Sequence, residues 1–189
     1  KDFETEYGPK RPKAIASLEE AVAIDPNDDK QLFSLGALYD EAKNKTKAIE
    51  LMQRAIAINP QNTAALNYLG YTYAEQGNHL DEAESLIRRA LAIEPNDGFY
   101  IESLAWVYYQ RGDYQRAVEQ LEHAIELAGE DPTVTEHLGD AYDKLGRPRE
   151  AIRGYEAVLH KAKEPEQIDR LKGKIELLGA GTRTSDTGS

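Results

Sequence analysis

Cysteine is absent from the sequence. That removes disulfide cross-links, thiolate metal ligands and a cysteine nucleophile together. It leaves the compartment open, because a disulfide-free chain is compatible with any of them. No apolar run approaches the ~20 residues of a membrane span, so direct membrane insertion is not expected. Basic residues are scarce: 23 Lys and Arg stand against 34 Asp and Glu, a formal net charge of −11. A dedicated nucleic-acid binder needs a basic footprint, so no nucleic-acid partner is expected. Catalytic signatures are missing as well, with no G-x-S-x-G elbow, Walker loop, G-x-G-x-x-G or H-E-x-x-H. The histidines His79, His123, His137 and His160 never pair at metal spacing, and neither a metal nor a cofactor is expected. His137 alone stands where it could touch a ligand, and it reads as an exposed side chain. The string at 25–30, DPNDDK, hints at calcium through Asp25, Asn27 and Asp29. A calcium loop then needs Gly sixth and Glu twelfth, where this chain has Lys30 and Gly36. Asn44-Lys45-Thr46 spells a glycosylation sequon that chance explains. The first residue is Lys, which points to a processed or trimmed chain and is compatible with removal of a signal peptide or lipid anchor upstream.

What the sequence does contain is a repeat. Pro26, Pro60 and Pro95 are spaced 34 and 35 apart, and Gly129 takes the next place. Gly36, Gly70, Ala105 and Gly139 keep the same step, as do Tyr39, Tyr73, Tyr108 and Tyr142. Ala21, Ala55, Ala90 and Ala124 follow it, and Val158 continues that series. The one extra residue falls between Gly77 and Ala83, in a turn, where an insertion is cheap. Within a unit, Leu66, Leu69, Gly70 and Tyr73 form one helical face, and Ala83, Ile87, Ala90 and Leu91 form a second after a short turn. Small residues at Gly70 and Ala83 let the two helices approach closely. Mid-helix glycine costs ~1 kcal/mol, so its recurrence calls for a packing reason of this kind.

These residues resemble the tetratricopeptide repeat. Leu35, Gly36, Tyr39, Ala48, Met52, Ala55 and Pro60 match the family pattern in the first full unit. Leu69, Gly70, Tyr73, Ala83, Ile87, Ala90 and Pro95 match it in the second. The third has Leu104, Ala105, Tyr108, Ala117, Leu121 and Ala124, and the fourth Leu138, Gly139, Tyr142, Ala151 and Tyr155. The resemblance covers about residues 12–163. It implies an all-α fold, a right-handed superhelical solenoid of antiparallel helix pairs. The expected units are 27–62, 63–97, 98–131 and 132–163. A partial N-terminal repeat at 1–26 keeps only its second helix, at 12–25, and the short stretch before it reads as the cut end of a longer array. Ile168, Leu171, Ile175 and Leu178 share one face of a capping helix at 164–180, and 181–189 reads as a flexible tail. Residues 65–112 also resemble the C-terminal repeats of large bacterial repeat proteins, some of them envelope lipoproteins and some adaptors. That implies a bacterial source and a place in the cell envelope (periplasm) or the cytoplasm.

In the resembled family the concave surface is lined mainly by the first helix of each unit. Carrying its places onto this chain gives a partner-binding set of Phe33, Asn67, Tyr71, Glu75, Phe99, Glu102, Trp106, Tyr109, Glu136 and Asp140. Tyr and Trp dominate binding hot spots and attract cations. Acids beside them suit a protein or peptide with apolar and basic residues. Some family members clamp a C-terminal carboxylate with cations. The matching places here hold Phe33, Ala37, Tyr68, Phe99 and Ser103, so that mode is not expected. Residues 63–131 carry 13 acids and 4 bases, and 144–174 carry 9 bases and 5 acids. The resulting expectation is a non-catalytic adaptor or scaffold that binds a partner in an aromatic, acidic concave groove. The alternative is a structural or assembly protein acting by self-association.

Overall fold

A computed structural model describes residues 11–185. The N-terminal stretch before the first helix and the last four residues of the expected tail lie outside that range. Among the described residues are ten helices: α1 Arg11–Ile24, α2 Asp29–Glu41, α3 Lys45–Ile58, α4 Thr63–Glu75, α5 Leu80–Ile93, α6 Gly98–Gln110, α7 Tyr114–Ala128, α8 Pro132–Lys144, α9 Pro148–Lys161 and α10 Pro165–Ser185. They pack pairwise in sequence order, the all-α repeat architecture that the periodicity implies.

The pattern of side chains explains the starts and stops. Asp28, Asn62, Asp97 and Asp131 precede the first helix of each pair, again 34, 35 and 34 residues apart. Each side chain accepts a hydrogen bond from a backbone N–H of the first turn, at distances between 2.8 and 3.3 Å. These caps satisfy donors that the helix itself leaves unpaired. Asn44 caps α3 through the Lys47 N–H at 3.2 Å, which accounts for the asparagine of the sequon. Asp29 of the calcium-like string accepts from Asn62 Nδ2 at 2.7 Å and Asn59 Nδ2 at 2.9 Å, a contact between the starts of successive pairs. Within each pair the turn needs one left-handed residue. Gly77, Gly112 and Gly146 supply it with φ of 64°, 80° and 69°, and Lys43 takes the same place with φ of 62°.

The chain divides into two compact units. One runs to Tyr73 and includes Asp81–Pro95; the other comprises Ala74–Leu80 and everything from Asn96 on. In the first, Leu32, Leu35, Ala48, Leu51, Met52 and Ala55 join α2 to α3 in a fully buried seam. The recurring glycine is what permits this. A Cβ at Gly36 would lie 2.8 Å from Met52 Cε, and one at Gly70 2.6 Å from Ile87 Cγ1. In the second unit Gly139 abuts the ring of Tyr155 in the same way, at 2.7 Å. Ala151, Tyr155, Val158 and Leu171 form the core that seats α10 on α9. α10 begins at Pro165 and continues to Ser185, into the stretch read from sequence as the tail. No proline follows Pro165 to stop it.

Three of the repeated tyrosines bridge successive pairs. Tyr39 donates to Glu19 and Tyr142 to Glu122, in each case across 20 residues. Tyr73 accepts from Gln53 Nε2 at 3.2 Å over the same interval. Tyr108 and Tyr73 are buried, while Tyr39 and Tyr142 are half-buried with their hydroxyls reaching a carboxylate.

Candidate functional site

The expected site residues fall in both units. Phe33, Asn67 and Tyr71 belong to the first, and all three are half-buried. Phe33 lines a shallow hollow with Lys30, Ser34, Asn62 and Ala64. The Asn67 Oδ1 is shielded from solvent and accepts no hydrogen bond.

The second unit holds the rest, and here α6, α8 and α10 bring side chains together. Phe99, in the first turn of α6, stands 58% exposed. One turn on, Glu102 is buried and its Oε1 lies 2.7 Å from His137 Nδ1 on α8. Trp106 stacks on Tyr109 with centroids 4.6 Å apart and an interplanar angle of 4°, and on His137 at 4.1 Å and 23°. Tyr114 meets Tyr109 edge-on at 5.3 Å. His137 is therefore a half-buried part of this column, not the exposed side chain expected from sequence. The Trp106 indole N–H is shielded and has no acceptor. Glu75 is exposed, at the end of α4.

Two acids of α8, Glu136 and Asp140, are already engaged. Glu136, buried, receives both terminal nitrogens of Arg170, with Nη2 at 3.0 Å from Oε2, and Lys174 Nζ at 3.0 Å. Asp140 receives Lys174 at 2.6 Å and the Tyr155 hydroxyl at 2.7 Å. Burial raises the Glu136 pKa, but the hydrogen bonds and charges of Arg170 and Lys174 outweigh it and hold the carboxyl below the ordinary glutamate value. Burial pushes the Tyr109 hydroxyl up to about 12, assisted by the nearby charges of Asp140 and Asp143. Burial also drives Tyr155 upward, together with its bond to Asp140. Where the sequence predicts an aromatic, acidic groove, Glu136 and Asp140 are paired with Arg170 and Lys174, and Glu102 is in hydrogen-bond contact with His137. Arg170 and Lys174 were missed, although a signal for them exists. They stand 34 residues beyond Glu136 and Asp140, where a fifth first helix would place its inner-face residues.

Comparison with known proteins follows the same lines. Two tetratricopeptide-repeat family profiles match residues 10–63 and 41–105, together about half of the chain. A profile for the anaphase-promoting complex, cyclosome, subunit 3 matches residues 76–158. No curated protein sequence matches. Among solved structures, a tetratricopeptide repeat protein from Parabacteroides merdae is similar at 22% identity, with a TM-score of 0.77 over 94% of this chain and 68% of that one. A thermophilic repeat protein from Thermus thermophilus gives 20% identity and a TM-score of 0.74, covering 91% and 94%. PilW, a type IV pilus biogenesis factor, gives 18% and 0.76, covering 98% and 91%. At these identities the likeness is one of fold. No helix among the described residues is long and apolar enough to cross a membrane.

Proposed function

From the premise that this chain belongs to the tetratricopeptide-repeat family, whose members generally mediate protein–protein interaction and are typically non-catalytic, we propose that it is an adaptor. It binds a partner segment on the first helices α6 and α8 of its second unit. The observation that carries the reading is the face of α6 and α8. There an exposed Phe99 stands two turns before a column of Trp106, Tyr109 and His137. An apolar partner side chain packs beside Phe99 and the half-buried rings of Trp106 and Tyr109. Exposed large apolar side chains rimmed by polar ones mark such docking surfaces.

The internal pairing alters the expected charge preference. Glu102, Glu136 and Asp140 are occupied by His137, Arg170 and Lys174, so a basic partner residue meets the exposed Asp143 instead. Anchoring is then mainly apolar, and affinity falls only modestly with salt. Peptides selected from a random display library on the intact chain test this. The expected winners carry aromatic or branched residues, bind with weak salt dependence, and lose tenfold or more in affinity (about 1.4 kcal/mol) on Phe99→Ser. Peptides whose affinity is unchanged by Phe99→Ser and by Trp106→Phe would sink the proposal.

A further inference from the structure

α9 carries a glycine that neither its backbone nor its packing requires. Gly154 stands in the middle of the helix, where glycine costs helix propensity. Its backbone is not left-handed. A Cβ there would meet nothing nearer than the Thr135 carbonyl oxygen at 3.4 Å and Gly139 Cα at 3.5 Å, which is ordinary van der Waals contact. Gly139 is the opposite case, with Tyr155 standing 2.7 Å from its missing Cβ. The repeat register shows what Gly154 replaces. The same place in α3, α5 and α7 holds Leu51, Leu86 and Gln120. Leu51 and Leu86 are 2% and 6% exposed, so in the first unit this place belongs to the core. One turn on, Ala157 stands where those helices carry Arg54, Arg89 and His123.

The two shortened side chains leave a hollow of about 300 Å³ bounded by α7, α8 and α9. Its apolar wall is made by Ile125, Leu138 and Tyr142. Leu138 registers the missing cover. Leu35, Leu69 and Leu104, at its place in the other repeats, are buried, whereas Leu138 is half-buried. Three charged residues stand at the rim. Glu130 holds Lys161 at 3.4 Å, and Glu150 holds Arg147 at 2.8 Å. The exposed Arg153 reaches no carboxylate among the described residues; its Nε donates to the Arg149 carbonyl at 3.4 Å.

We infer that this hollow is a second docking site, which takes an aliphatic side chain (Leu, Ile or Met) of a partner protein segment that carries Asp or Glu nearby. The leucines at 51 and 86 show what kind of group the place accommodates. An aliphatic group from outside covers Leu138 and Ile125 as they do from within, and removes apolar surface from water. Arg153 supplies the charge that an acidic neighbour meets. None of the residues lining the hollow belongs to the aromatic face of α6 and α8.

A library of random displayed peptides, selected on the intact chain with soluble Gly154→Leu chain in excess, tests this. The competitor removes every peptide that binds elsewhere, those of the aromatic face included. The expected survivors carry Leu, Ile or Met with Asp or Glu within a few residues. Their affinity falls tenfold or more on Gly154→Leu, falls about threefold on Arg153→Glu, and is unchanged on Phe99→Ser. Gly154→Leu itself keeps the helical circular dichroism and raises the Tm, because it fills the hollow and restores helix propensity. A competition that leaves no survivors overturns the inference, and so does a Gly154→Leu chain with a lower Tm, since the place is then filled from within. Survivors indifferent to Arg153→Glu, or rich in Lys and Arg, overturn the acidic preference. None of these outcomes touches the reading of the α6 and α8 face, whose peptides bind the Gly154→Leu chain as well as the wild type.

Discussion

Trp106 is the only tryptophan of the chain, so its fluorescence reports on one place. Its ring holds α6 against α8 through His137 while one edge carries an unpaired donor. Removing it therefore acts on stability and on binding together. Trp106→Ala is expected to lower the unfolding free energy by about 2 kcal/mol, less than a fully buried tryptophan, measured by urea denaturation. Trp106→Phe should retain most of the stability but lose part of the aromatic contact area offered to a partner. Lys43 offers an independent test. It holds a left-handed conformation that glycine holds at 77, 112 and 146, so Lys43→Gly should raise stability by up to about 1 kcal/mol in the same assay. Trp106 could be placed from sequence because the repeat register assigns it to a first-helix face. Its stack with His137 could not, since that depends on rotamers on two helices 31 residues apart in sequence. Arg170 and Lys174 escaped for a different reason: the fifth-unit register was read only for its apolar face, and the cations on the adjacent face are what meet Glu136 and Asp140.

The helices themselves were legible because their packing demands recur. α2, α4 and α8 each bring a glycine against the centre of the next helix, and an Asp or Asn opens each of them. Two glycines in one register then separate packing from propensity. Gly139→Ala puts a methyl 2.7 Å from the Tyr155 ring and should destabilise by about 1–3 kcal/mol. Gly173→Ala meets open space and gains helix propensity, so it should stabilise by up to about 1 kcal/mol. Thermal melts of the two variants should move in opposite directions. Asp131→Ala removes the cap on α8 and should cost about 1 kcal/mol. The end of α10 was not legible, because apolar periodicity fades after Leu178 while no proline ends the helix.

At the scale of the molecule the net charge of −11 has a more specific meaning than a bulk excess of acid. Part of that acid is structural. Glu136 is held below the ordinary glutamate range by Arg170 and Lys174. Its stabilisation is complete above that range and is lost as pH falls through it and below. At the alkaline limb Tyr109 and Tyr142 keep their protons up to about 12, Tyr142 through burial and its bond to Glu122. Unfolded tyrosine releases its proton near 10, so stability should decline from about pH 10 upward. Urea midpoints measured across that pH range should fall at both ends, and Glu136→Gln should flatten the acid limb. The central claim, however, concerns the face of α6 and α8. Its most direct test is an amide chemical-shift map of the labelled chain titrated with the tightest selected peptide. The account predicts that, within the second unit, the largest shifts fall on Phe99, Trp106, Tyr109 and His137, the Trp106 indole N–H among them. Shifts confined to α7 and α9, with the Trp106 indole unmoved, would contradict it.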